Sequence, residues 1–259
     1  MSDQLMEAAL ELAQRAGGVA LSHFQKNLAI ERKQDGTPVT RADREAEWTA
    51  RQWLEERFPN DGVLGEEFGA VREGAPRRWI LDPIDGTKTF VRGVPLWGTL
   101  VALAQGERIL AGAAHFPAVG ETIGAAPGQG CWWNGVRCRV SGISRLGEAA
   151  ILATDERFAS DARKLERWRG LASQVAMTRT WGDCYGYLLV ATGRAEAMVD
   201  DVLSPWDAAA FLPIIQEAGG IFTDWRGNST AFGGDAIASN AELSTEIRRF
   251  LLIDRPKAG

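Results

Sequence analysis

Residues 79–90 read WILDPIDGTKTF, which sets two carboxylates, Asp82 and Asp85, at the end of an apolar run beside Pro83, Gly86 and Thr87. A strand that only turns needs a proline, a glycine and one acid; two acids at this spacing are placed to converge. Short loops bring further acids within reach: Glu66 and Glu67 in GEE at 65–67, and Asp207 in SPWDAAA at 204–210. Gathered carboxylates repel by on the order of 4 kcal/mol per pair at about 4 Å and an effective dielectric of about 20, so such a site requires cations. All-oxygen ligands point to Mg²⁺, with Mn²⁺ as a substitute, and Mg²⁺ sites commonly take phosphate oxygens to complete their shell. Gly86 and Thr87 are expected to begin a helix whose free amides point at the same place, so that cation and anion binding meet there.

Each acid also has an ordinary structural use. Asp82 and Asp85 suit a turn and a helix cap, Asp43 lies three residues after Thr40 as the second half of a capping pair, and Asp207 follows Ser-Pro-Trp as a first-turn acid. Taken singly these uses compete with a metal site; it is the group that points to chemistry.

The elements that must hold these residues are legible from periodicity. Leu5, Ala8, Ala9, Leu12, Ala13 and Ala16 recur at helical spacing, predicting a long amphipathic helix that reaches Phe24. A second helix follows DGTPVT, with Ala46, Ala50, Trp53 and Leu54 as its apolar face, and ends at FPNDG (58–62). From there to about 140 the chain reads as strand: GVLGEE, RRWILD with Pro83 blocking its continuation, two strands joined at Gln105 to Glu107, and ETIGAAPGQGCWWNG. The remainder alternates. AAILATD, MTRTW, AEAMVD and GGIFTDW read as strands, while 160–173, 184–192 and 206–218 read as helices. This predicts an α/β (α+β) layered fold. Residues 1–142 form a helix pair against an antiparallel sheet carrying most of the acids, and 143–259 form an α/β half that supplies Asp207.

Composition removes several function classes. The 259 residues are 45% hydrophobic, enough for a large core, and 29 basic against 34 acidic residues with no basic block argue against nucleic acid. No apolar stretch is long enough for a membrane span. Cys131, Cys138 and Cys184 are odd in number and lack paired metal-site spacing, and no charged-then-apolar leader precedes the first helix, so a reduced, cytoplasmic protein is expected. His23 and His115 are too few for an imidazole zinc site, and no cysteine or serine motif competes for a nucleophile role.

Taken in order and spacing, GEE at 65–67, DPIDGT at 82–87 and WDAAAFLPIIQEAGG at 206–220, with DGTPVTRAD near the start, resemble the inositol monophosphatase superfamily of Mg²⁺-dependent, lithium-sensitive phosphatases. The resemblance covers essentially the whole chain. It implies a layered αβαβα sandwich shared with fructose-1,6-bisphosphatases, and often a homodimer. It also implies two to three Mg²⁺ ions: one on Glu66, Asp82 and the carbonyl of Ile84, a second on Asp82, Asp85 and Asp207, and a weaker third leaning on Glu66. By the same resemblance Thr87, paired with Asp43, orients the attacking water, Asp85 and the amides of Gly86 and Thr87 hold the phosphate, and displacement is in line without a phosphoenzyme.

Within that superfamily Lys88, Arg92 and Gly93 in DGTKTFVRGVPLWGTL, and TWGDCYGYLLVATGRAEAMVD at 180–200, look like the branch that dephosphorylates L-histidinol phosphate. Inositol enzymes usually place a small residue at the position of Asp183 and glutamate at that of Asp200. Histidinol carries an ammonium group and an imidazole, so extra acids and aromatic walls suit it better than a neutral polyol. Asp183 and Asp200 are the recognition candidates, with Trp181 and Tyr185 as walls or as core residues. The expected substrate is a small phosphate ester, histidinol phosphate ahead of inositol 1-phosphate. A broad polyol or sugar phosphatase and a non-catalytic binder on the same fold are the further readings; the complete ligand set opposes the last.

Overall fold

The N-terminal apolar spacing folds as expected in the computed structural model, which describes residues 2–33 and 36–252; Asp35 of the DGTPVT stretch lies outside them. Helix α1 (Ser2–His23) buries Ala9, Leu12, Ala13 and Ala16. A two-strand hairpin unanticipated from sequence, β1 (Glu31–Arg32) and β2 (Pro38–Val39), leads to α2 (Arg41–Arg57). The hydroxyl of Thr40 accepts the Ala42 N–H at 3.1 Å while Asp43 accepts the Thr40 N–H at 2.7 Å, a reciprocal cap that fixes where α2 starts.

Strands β3 (Gly62–Gly65), β4 (Gly69–Val71) and β5 (Arg78–Asp85) come next, followed by the single-turn α3 (Thr87–Phe90). Then come β6 (Gly98–Gln105), β7 (Arg108–Phe116), β8 (Glu121–Ala126), β9 (Gly130–Trp133) and β10 (Val136–Arg137). They pair in the order β10-β9-β8-β7-β6-β5-β3-β4, antiparallel except for β3 beside β5. Alternation of side chains divides the cores: Trp79, Leu81, Val101 and Leu103 face α1 and α2, whereas Ile80, Leu100 and Ala102 face the other way.

The second half contains β11 (Ala150–Ala153), α4 (Ala162–Ala172), β12 (Met177–Arg179), α5 (Cys184–Ala191) and β13 (Ala197–Asp200). It continues with α6 (Pro205–Ala208), α7 (Phe211–Glu217), β14 (Ile221–Thr223), β15 (Ala236–Ser239) and α8 (Ala241–Leu251). Its sheet has the order β12-β11-β13-β15-β14. Met198 on β13 packs with α5 and α7 in the core shared with the large sheet, while Ala197 and Val199 pack with α4 and α8 on the far side. The layers are therefore helix, sheet, helix, sheet, helix, the αβαβα sandwich that was expected.

Two expectations are corrected, and one stretch is added. Pro83 does not end its strand: β5 runs on to Asp85, and pairing shifts from Asp82 opposite Leu100 to Asp85 opposite Gly98, a one-residue bulge that absorbs the proline. The helix expected over 206–218 is two helices. Pro213 has no N–H for the carbonyl of Ala209, and the carbonyl of Ala210 instead packs onto Gly112, where an added Cβ would lie 2.2 Å from it. Beyond Trp225 the chain adds β15 and α8, which complete the second sheet and its outer layer.

Candidate active site

The bulge in β5 positions the first acids. Asp82 is buried, and its Oδ1 accepts the N–H of Ile84 at 3.0 Å, while Thr99 donates its hydroxyl to the Pro83 carbonyl at 2.8 Å. The extra residue lets Asp82 and Asp85 converge instead of alternating. Asp207 arrives from the first turn of α6, where its Oδ2 also accepts the Ser204 N–H at 2.7 Å; capping and site membership are the same geometry. One carboxylate oxygen from each of Asp82, Asp85 and Asp207 lies within 4.8 Å of the others.

The electrostatics of this cluster suits a cation. Burial, then the charges of Glu66, Asp85 and Asp207, push the Asp82 carboxyl well above its ordinary range. Burial, then Asp183 and Asp207, do the same to Asp85, and burial raises Asp207 to about 7 against the Ser204 N–H that lowers it. A cation with oxygen ligands relieves the same repulsion without protons, so the donor set fits Mg²⁺.

Glu66 stands at the edge of this group and beside Glu67. Lys33, on the β1–β2 hairpin, donates to Glu66 at 2.7 Å and to Glu67 at 2.6 Å. Burial lowers the Lys33 amine, but the bonds to Glu66 and Glu67 outweigh it and the net shift is upward; burial raises Glu67 to about 7. Beneath the loop, Glu47 is buried, pairs with Arg51 at 2.8 Å and accepts the Glu67 N–H at 2.7 Å. Gly65 makes room for it: a Cβ there would sit 2.0 Å from Glu47 Oε1. Neither Lys33 nor Glu47 carries a sequence signal at the motif itself.

Past the bulge, Gly86 adopts φ 87°, in the left-handed region, and begins α3. A Cβ at Gly86 would also lie 3.0 Å from Asp183 Oδ2, so glycine permits α5 to approach. The single hydroxyl proton of Thr87 has two acceptors, Asp43 Oδ1 at 3.2 Å and the Ile84 carbonyl at 3.0 Å. Asp43 is fully buried and uses its other oxygen on Thr40, and burial holds its carboxyl above the usual range despite those Thr40 bonds.

Beside the cluster opens a cavity of about 160 Å³ whose lining includes Asp85, Asp155, Asp183, Asp200, Asp201 and Asp207, with Thr154 and Tyr187 among them. Asp183 begins α5 in a left-handed conformation at φ 50°, and Thr89 of α3 donates to its Oδ2 at 3.2 Å. Asp200 ends β13, buried; Tyr187 donates to its Oδ2 at 2.7 Å and the Thr154 N–H to its Oδ1 at 3.1 Å. Burial raises Asp200 to about 6, and the Tyr187 and Thr154 bonds oppose that rise. Burial raises the Asp183 carboxyl, and the bond from Thr89 and the charge of Lys88, exposed on α3, only oppose that rise; Asp155 is held low chiefly by its bond to Arg157. Arg92 is exposed, and Gly93 accepts from Gln25 at 3.2 Å.

The aromatic walls expected from sequence are corrected. Tyr185 turns away from the acids: its hydroxyl donates to Glu121 at 2.9 Å, and Arg194 lies over its ring and pairs with Glu121 at 2.7 Å. Trp181 is 40% exposed and is not among the residues that line the cavity. The tyrosine facing the acids is Tyr187. Spacing contained this: on α5, position 187 falls one turn after Asp183 and on its face, whereas 185 points elsewhere.

The chain is similar to known proteins over most of its length. The model of the inositol monophosphatase family matches residues 1–251. The chain is 43% identical to the histidinol-phosphatase of Chlorobaculum parvum, covering 90% of this chain and 91% of that one. It is 39% identical to the histidinol-phosphatase of Mycobacterium tuberculosis over 95% and 97%, and 32% identical to the inositol-1-monophosphatase of Mesorhizobium japonicum over 96% and 94%. Among solved structures, the extragenic suppressor protein suhB of Bartonella henselae superposes with a TM-score of 0.90 at 30% identity, covering 96% of this chain and 98% of that one. The chain belongs to the inositol monophosphatase family of phosphoric monoester hydrolases.

Proposed function

We propose that the chain hydrolyses L-histidinol phosphate to L-histidinol and phosphate with Mg²⁺ as cofactor. The observation that carries the substrate is the acidic cavity beside the carboxylate cluster, where Asp183 and Asp200 stand. Six carboxylates around about 160 Å³ give a neutral polyol little that water does not, but give an ammonium group a strong, charge-assisted set of acceptors. The histidinol-phosphatases among the relatives support the same choice.

Glu66, Asp82, the Ile84 carbonyl, Asp85 and Asp207 are the residues that would hold Mg²⁺, which when bound neutralises phosphate charge and lowers the pKa of water. The rest falls to the chain itself. The amides of Gly86 and Thr87 receive phosphate oxygens; α3 is a single turn, so these donors, more than a macrodipole, do the holding. Asp43 Oδ1 accepts a hydrogen bond from the Thr87 hydroxyl, which leaves the Thr87 oxygen lone pairs free to accept from, and so aim, the attacking water. Were the Ile84 carbonyl one of the oxygens that hold the cation, Asp43 would be the acceptor left for the Thr87 hydroxyl.

Steady-state rates with Mg²⁺ on L-histidinol phosphate, inositol 1-phosphate, a sugar bisphosphate and adenosine 3′,5′-bisphosphate test the reading. A kcat/KM at least about tenfold higher for L-histidinol phosphate, roughly 1.4 kcal/mol of discrimination, is expected. Preference for inositol 1-phosphate, or equal efficiency across the panel, would replace it.

A further inference from the structure

The two recognition acids are not independent. Asp183 and Asp200 come from different elements, yet both are tied to Thr154, the residue that follows β11. Thr154 gives its N–H to Asp200 Oδ1 at 3.1 Å, and its hydroxyl oxygen accepts the N–H of Asp183 at 3.0 Å. Beneath them Tyr187, buried and stacked on Phe211 at 4.8 Å, donates to Asp200 Oδ2 at 2.7 Å. The main chain of Asp200 is held in turn by Trp225, whose Nε1 donates to the Asp200 carbonyl at 2.8 Å.

On the other side Thr89 ties Asp183 to α3, the helix that begins at Thr87. A continuous set of bonds thus runs Thr89–Asp183–Thr154–Asp200–Tyr187, from the phosphate end of the site to the cation end. Asp183 needs such support. At φ 50° and ψ −147° its backbone is in a region that L residues seldom occupy, and persists only where surrounding bonds over-determine it.

Resting on the reading of the cavity as a cation site, we propose that Thr154 and Tyr187 are specificity-positioning residues: they fix the separation of the Asp183 and Asp200 carboxylates so that both meet one ammonium group at a set distance from the phosphate. Thr154 fixes the pair by bridging it. Tyr187 fixes Asp200 alone, occupying one oxygen from below so that the remaining lone pairs face the cavity. Neither is asked to touch the reacting atoms.

The test is a comparison of Thr154→Val, Thr154→Ser, Tyr187→Phe and Asp200→Asn with the parent protein. KM and kcat are measured on L-histidinol phosphate and on inositol 1-phosphate, with calorimetric binding of L-histidinol as a second readout. Losing the hydroxyl that accepts the Asp183 N–H in Thr154→Val, or the charge-assisted Tyr187–Asp200 bond in Tyr187→Phe, should raise KM for L-histidinol phosphate, and weaken L-histidinol binding, on the order of fivefold. KM for inositol 1-phosphate should move less than about twofold, and Thr154→Ser should restore the parent values. Equal effects on the two esters, or no effect on either, would overturn the positioning role. Asp200→Asn separates the two failures. If it too fails to distinguish the esters, the cation reading of the cavity falls and the inference with it; if it distinguishes them while Thr154→Val and Tyr187→Phe do not, the inference alone falls. Each variant is isosteric or nearly so, and the exposed Thr154 gives a test even if Tyr187→Phe does not fold.

Discussion

Asp85 lies where the cluster of Asp82 and Asp207 meets the acidic cavity, so its charge belongs to both. Replacing it with asparagine removes that charge while keeping shape. Asp85→Asn should cut Mg²⁺-dependent phosphate release on the order of 10³-fold, yet leave the circular dichroism spectrum intact and the metal-free melting temperature equal to or above that of the parent, because one repelling charge is gone. Near-parent turnover would remove Asp85 from the metal set. The acids themselves were legible in the sequence because DPIDGT concentrates two carboxylates, a proline and a left-handed glycine in six positions. Lys33 and Thr154 were not, since each acts through one side chain met only when the chain has folded, and neither spacing nor residue type singles it out. Aromatic identity near Asp183 points to Tyr185, whereas the residue that faces the acids, Tyr187, is marked only by helical phase, one turn beyond Asp183.

At the scale of elements, the loop after β3 is shaped from below. Glu47 of α2 collects the Glu67 N–H, the Phe68 N–H and Arg51, and can do so only because Gly65 has no side chain. Gly65→Ala should therefore destabilise the fold by about 3 kcal/mol, by crowding a buried carboxylate and disturbing its ion pair, and should weaken Mg²⁺ binding by shifting Glu66; denaturant melts and metal titration measure the two effects. An unchanged midpoint would mean that Glu47 can move aside freely. The helix pair, the hairpin of β6 and β7 and the strand alternation were all readable from period and turn residues. The bulge at Pro83 and the break between α6 and α7 were not, because in both a proline is accommodated by a partner strand that local sequence does not reveal: β6 shifts register for one, and Gly112 of β7 accepts a carbonyl for the other.

For the whole molecule, the cluster links stability to pH and to metal. Carboxyls raised in the folded state, Asp200 to about 6 and Asp207 to about 7, bind protons more tightly folded than unfolded. Below the ordinary carboxylate value of about 4 that stabilisation is fully present, and it is lost as pH rises through the folded values. The metal-free protein should thus melt at lower temperature at about pH 8 than at about pH 5, as far as these groups decide it, and added Mg²⁺ should raise the melting temperature more at the higher pH. A Mg²⁺ shift independent of pH would contradict this. Asp82 and Asp85 come from the large sheet, whereas Asp207 comes from a helix in the second half of the chain. Closing so long a loop is entropically slow, and nothing local rewards it early. The site should then be the last part of the molecule to form on refolding: far-UV circular dichroism from the helices and the β6–β7 hairpin is expected to recover before tight divalent-cation binding does, and simultaneous recovery of the two signals in a stopped-flow experiment would contradict this.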